Sequence, residues 1–135
     1  MSILKIRAAL EVGLNSITPA LPTAWQNMDF TPPASGGYQR VALLPAQPEN
    51  PSIGASLHRE VGILQVTLIY PQNAGPSAAE ARAEAIRAQF RRGSSWIKDG
   101  VTVIVDGTPA IAAGRNEDGR FVVPVSIPYH ANVFS

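Results

Sequence analysis

Residues Arg59 to Gly93 read REVGILQVTLIYPQNAGPSAAEARAEAIRAQFRRG, and the fold turns on how this stretch is read. Its first part alternates. Leu64, Val66, Leu68 and Tyr70 fall on one side of an extended chain, and Ile63, Gln65, Thr67 and Ile69 on the other, because successive strand side chains point to opposite faces. The first set is apolar and is expected to face helices. The second is mixed, so its face is expected to be only partly buried. A strand from Ser56 to Tyr70, closed by Pro71, is long enough to cross a whole sheet.

After the PQNAG loop the period changes. Ala79, Ala83, Ile86 and Phe90 recur at helical spacing and predict a buried stripe. Ser77-Ala78-Ala79-Glu80 has the pattern of a capping box, in which the serine hydroxyl accepts from a free backbone N–H and the glutamate reaches back. On that reading, Ser77→Ala costs about 1 kcal/mol. Arg91 and Arg92 stand where the helix dipole favours cations, and Gly93 suits a left-handed cap.

Upstream, Ile3, Ile6, Leu10, Leu14 and Ile17 are spaced three or four apart, which predicts a helix over residues 2–16. Ser2 is placed to cap it, and Pro19 ends it. Thr23 to Met28 reads as a short strand. Asp29 to Gln39, with Pro32-Pro33 and Gly36-Gly37, reads as a mobile loop. Arg40 to Pro45 is a second strand, and residues 46–56 are again loop.

Downstream, Gly100 to Gly107 and Thr108 to Gly114 are expected to form a hairpin through Asp106-Gly107. Arg115 to Arg120 is a polar turn, and Phe121 to Tyr129 is the last strand. Pro124 and Pro128 remove donors that point to the same edge of that strand. Either the strand lies at the sheet edge, or something other than a regular strand covers that side. The element order implies an α+β fold in one domain, 1–135. It has an antiparallel or mixed sheet of about five strands, with two helices packed on one face.

Composition narrows the function. Eleven basic and ten acidic residues leave a net charge of +1. That is too balanced to argue for nucleic acid or an anionic membrane. Cysteine is absent, which excludes disulfides, thiolate metal sites and cysteine nucleophiles. No window approaches a run of apolar residues long enough to span a bilayer, and the charged N-terminal segment does not read as a signal peptide. Charged residues make up 16 %, against about 25 % in a typical soluble domain. That shortfall is compatible with surfaces covered by a partner.

No residue set converges on chemistry. His58 and Glu60 share a strand face, but no nucleophile with a supporting partner stands near them, so His58 reads as a solvated strand end. His130 reads as surface. Asp99-Gly100, Asp106-Gly107 and Asp118-Gly119 are turn dipeptides rather than metal ligands. No catalytic residue, cofactor site or metal site is assigned. Arg82, Arg87, Arg91, Arg92 and Lys98 form a basic cluster, read either as a solvated helix face or as an intersubunit contact. Trp25, Phe30, Tyr38 and Trp96 lie in or beside loops, where they either pin loops to the core or anchor an interface.

As an ordered set, these pieces resemble a known family. They are an N-terminal helix leading into LNSITPALPTAWQNMDFTPP, a proline-rich loop, a long strand ending LQVTLIYPQNAG, the helix PSAAEARAEAIRAQF and a closing FVVPVSIPYHA. Over residues Ile3 to Ala131 the chain is similar to the tail terminators of long-tailed bacteriophages. The resemblance implies a non-enzymatic structural protein of the virion tail, in a phage or prophage, assembled in the bacterial host cytoplasm. Such proteins act as rings, commonly of six subunits. They stop growth of the tail tube and meet the head connector, so the implied partners are further copies of the chain, the tube protein and the connector proteins. A ring needs two different patches per subunit. Candidate interface residues are Phe30, Pro32, Pro33, Tyr38, Ile63, Ile69, Arg87, Arg91, Pro124 and Pro128. Alternative readings are a head–tail neck or minor tail protein, or a small ligand- or peptide-binding module.

Overall fold

The computed structural model describes residues 2–34, 36–51 and 57–134. The chain runs α1 (Ser2–Asn15), β1 (Thr23–Ala24), β2 (Tyr38–Pro45), β3 (Leu57–Pro71), α2 (Ser77–Gln89), β4 (Ser95–Lys98), β5 (Val101–Val105), β6 (Ala110–Ile111), β7 (Arg115–Glu117) and β8 (Arg120–Phe134). The fold is α+β, as the element order predicts. The sheet differs from expectation: among the described residues it has eight strands rather than about five, and it curls into a half-barrel. Its order is β1-β2-β3-β8-β5-β4, with β6 and β7 also paired to β8. β1 is parallel to β2; every other pairing is antiparallel, so the sheet is mixed.

The long strand forms as its alternation predicts. Leu64, Val66 and Leu68 are fully buried in one core with Ile6, Leu10 and Leu14 of α1 and with Ala79, Ala83, Ile86 and Phe90 around α2. Both helical stripes therefore press on the same sheet face. β3 and β8 pair along their whole lengths, from Leu57↔Phe134 to Pro71↔Arg120, and this ladder is the spine of the domain. The expected first residue of β3, Ser56, and the side chain of Ser2, expected to cap α1, lie outside the described residues.

β8 is central, not an edge strand. Its prolines nonetheless act as the alternation argument requires. The Pro128 carbonyl accepts from Asp106 N–H (2.8 Å) and the Pro124 carbonyl from Ala112 N–H (2.9 Å). The missing donors of both prolines therefore point to the side away from β3. On that side β8 meets no single long strand. β5 pairs at residues 129–131, β6 at 125–126 and β7 at 120–122. The prolines mark the breaks between these pieces.

The Asp106-Gly107 hairpin does not form. β5 and β6 each pair with β8 instead of with one another, because Asp106 turns its N–H to Pro128 and its carboxylate to His130. The two-residue hairpins are at Asp99-Gly100, joining β4 to β5, and at Asp118-Gly119, joining β7 to β8. All four turn residues have positive φ, as a two-residue turn of this hand demands. The strand expected over Thr23 to Met28 stops at Ala24; a turn follows, with Asn27 at φ 59 and Met28 N–H bonded to the Trp25 carbonyl.

The capping box at α2 is not made. Pro76 takes the cap position, its carbonyl accepts from Glu80 N–H (2.9 Å), and no side chain caps the helix. Proline's fixed φ suits the first turn, which shifts Ser77 one place into the helix. Gly93 adopts the left-handed conformation expected of it, at φ 85.

Candidate assembly surfaces

Both helices cover one side of the sheet, which leaves the other side bare. Register places its residues in rows across β2, β3 and β8. These are Tyr38–Ile69–Val122, Arg40–Thr67–Pro124, Ala42–Gln65–Ser126 and Leu44–Ile63–Pro128. The last row is apolar and open: Leu44 is 45 % and Ile63 38 % exposed. Scattered exposed apolar side chains are ordinary; this row makes the bare face a candidate contact surface.

The first row is closed by its own loop. Tyr38, Ile69 and Val122 form a small second core on which Phe30 packs, with the Phe30 and Tyr38 rings 5.3 Å apart. Arg120, at the start of β8, fastens the same loop. Its guanidinium donates to the carbonyls of Pro33 (3.1 Å) and Gly36 (3.2 Å) and lies 5.7 Å from the centre of the Tyr38 ring. The segment expected to be a mobile loop is thus tethered to the sheet. Between loop and hairpin lies a polar hollow of about 430 Å³, walled by Arg40, Arg115, Arg120 and Glu117 over Gln65 and Thr67. Arg115 and Glu117 pair at 2.9 Å.

The structure therefore gathers Phe30, Pro32, Pro33, Tyr38, Ile63, Ile69, Pro124 and Pro128 on or around the bare face. It leaves Arg87 on α2 and Arg91 just past its C-terminal end, at the helical side. Arg87 donates to the Pro109 carbonyl (3.0 Å) and pairs with Glu84 (3.7 Å), while Arg91 is exposed. Arg82, read with these two as part of one basic cluster, is instead buried and donates to the Pro19 carbonyl, tying α2 to the segment that follows α1. Burial lowers the Arg82 pKa and raises that of Tyr70 beside it, whose phenol is partly offset by the Arg82 charge. Sequence reading does not single out Leu44, Arg40 or Arg120 as surface-forming residues. Their only sequence signal is a place in register with Ile63, Thr67 and the loop, and that register is set by pairing.

The two histidines are not bare. His130 Nδ1 lies 2.7 Å from Asp106 Oδ1, in a pair that stays open to solvent. His58 Nε2 lies 3.5 Å from the Glu60 carboxylate. Burial raises the Tyr129 phenol, with the Glu60 charge as a second cause. Among the described residues no group of three or more His, Asp or Glu could hold a metal ion.

The family profile described as phage tail terminator protein matches residues 5–129. The chain belongs to the phage tail terminator family. It is thus a structural protein of the phage tail, and its place is in the virion tail. None of the curated proteins matches it. Among solved structures, one chain whose name states no function is 32 % identical, with a TM-score of 0.79, over 100 % of this chain and 99 % of that one. A chain of the virion of the native gene transfer agent (GTA) particle is 14 % identical, with a TM-score of 0.65, over 99 % and 98 % respectively. At that identity the likeness speaks for a shared fold alone.

Proposed function

We propose that the protein is a ring subunit, with six copies the expected number, that ends growth of the tail tube and forms the surface on which the head connector docks. It does so by contact, without catalysis, and assembles in the host cytoplasm before heads and tails join. The observation that carries this reading is the bare sheet face of a terminator-family chain, with the open apolar row Leu44–Ile63–Pro128. A face of this kind is stable in water only as a compromise; covering it releases water from apolar surface. The tethered loop from Phe30 to Gly37 stands beside that face and extends it.

The test is electron microscopy of particles made without this gene. Tails of uncontrolled length are expected. Tails of normal length beside unjoined heads would assign the protein to the neck instead. In the purified protein, deletion of Pro32 to Gly37 should leave a folded subunit that assembles poorly. Normal assembly by light scattering, together with tails of normal length, would remove the loop from the contact surface.

A further inference from the structure

The two ends of the sheet are finished differently. At the β2 end, a side chain closes the edge: Gln26 Oε1 accepts from Leu43 N–H (2.9 Å) and from the Arg7 guanidinium (2.7 Å). Pro45 then ends β2 without a donor. At β4 no such guard stands among the described residues. The two-residue turn at Asp99-Gly100 makes Lys98 and Val101 a hydrogen-bonded pair, so by alternation the N–H and C=O groups of Ser95 and Ile97 point away from β5 to the open edge. Ile97 is 68 % exposed on that edge. An unpaired edge with a large exposed apolar side chain is a template for another chain.

Beside the β2 end lies a groove of about 400 Å³, lined by Trp25, Met28, Phe30, Tyr38, Arg40 and Val41 among others. Met28, on its lip, is 67 % exposed. Asp29, between two lining residues, and Arg40, on the wall, are exposed. Lys98 and Asp99, adjacent in the β4–β5 hairpin, are exposed as well. None of these four charges has an ion-pair partner within the subunit among the described residues. The hairpin thus offers one cation and one anion beside an apolar side chain, and the groove offers one anion and one cation beside an apolar hollow.

We propose that the β4–β5 hairpin of one copy docks in the Trp25–Met28–Phe30 groove of the next, with Ile97 entering the hollow, Lys98 facing Asp29 and Asp99 facing Arg40. The two patches differ and lie at opposite ends of the sheet order, so the contact is heterologous and propagates head to tail until it closes. Complementary charges at the rim set the register. This contact rests on the ring reading above and names the surfaces which that reading leaves open.

The chain contains no cysteine, so Met28→Cys and Ile97→Cys introduce the only thiols, each at a position about two-thirds exposed. Full-length protein is followed by light scattering, alone and with purified tail tubes. Under mild oxidation the double variant is expected to give a ladder of covalent multimers on a non-reducing gel, while each single variant stops at the dimer. Lys98→Asp should weaken self-association about fivefold, and adding Asp29→Lys to the same chain should restore it. If the wild type assembles but neither ladder nor rescue appears, the ring stands and this contact is wrong. If the wild type stays monomeric both alone and with tubes, ring and contact fall together.

Discussion

Tyr129 sits directly across the β3–β8 ladder from Gly62, and its ring folds over the glycine. A Cβ at residue 62 would stand 2.6 Å from the Tyr129 hydroxyl and 2.6 Å from the Leu44 carbonyl oxygen. The tyrosine is 1 % exposed and has no room to swing aside; the carbonyl belongs to the paired backbone of β2 and is fixed there. Gly62→Ala is therefore expected to destabilise the domain by about 1–3 kcal/mol, the usual range for overpacking. Urea unfolding of the two proteins measures it, and an unchanged midpoint would show that the ladder yields at this point.

Ser77 and Phe90 mark the two ends of α2 and should respond very unequally. Ser77 caps nothing, so Ser77→Ala should shift stability by no more than about 0.5 kcal/mol. Phe90 is fully buried, and its ring centre lies 5.4 Å from that of Trp96. Phe90→Ala should cost about 3–5 kcal/mol. Thermal or denaturant unfolding of both variants makes the comparison.

Arg120→Ala should loosen the loop more than the fold. Its two carbonyl partners, Pro33 and Gly36, are both on the loop, and hydrogen bonds from a charged donor contribute about 1.5–3 kcal/mol each when shielded and less in the open. Limited proteolysis is expected to cut faster near Gly36–Gly37, while the midpoint of global unfolding moves little. Equal loss of both would make Arg120 a core residue rather than a tether.

Glu11 gives a pH prediction. Desolvation at the surface of α1 raises its pKa, partly countered by Arg7 at 3.9 Å. A carboxyl whose pKa is higher in the folded state penalises folding once it ionises, and the penalty is absent below its ordinary range, where both states are protonated. Glu11→Gln should therefore gain stability relative to the wild type as pH rises from about 3 to about 7. Urea midpoints at those two pH values test the sign; a gap that shrinks on raising the pH would contradict it.

Much of the frame is legible in the sequence. The stripe Ile6–Leu10–Leu14, the stripe Ala79–Ala83–Ile86–Phe90 and the alternation Leu64–Val66–Leu68 each encode a burial face by period alone, and these are the residues of the core. β4 is not legible, because four residues, Ser95–Lys98, are too few to show a period. The position of β8 stays open for a different reason. Pro124 and Pro128 reveal which side of the strand lacks donors, yet they say nothing of what stands there. The bare face is half legible: alternation puts Ile63 and Ile69 on one side of β3, while their row-mates Leu44 and Val122 become neighbours only through register. The groove and the β4 edge depend on which ends the sheet leaves open, a property of strand order that no local pattern carries.

The broken ladder along β8 has a consequence for chain length. β5, β6 and β7 are three tiles laid separately on one long rail, and the joints between them, residues 106–109 and 112–114, are tied to it only by single backbone bonds from Asp106 and Ala112. Lengthening such a joint between these bonds adds mainly loop-closure entropy, about 0.6 kcal/mol for each doubling. This flank can therefore take an insertion at little cost while the β3–β8 rail and the helices beneath it stay as they are.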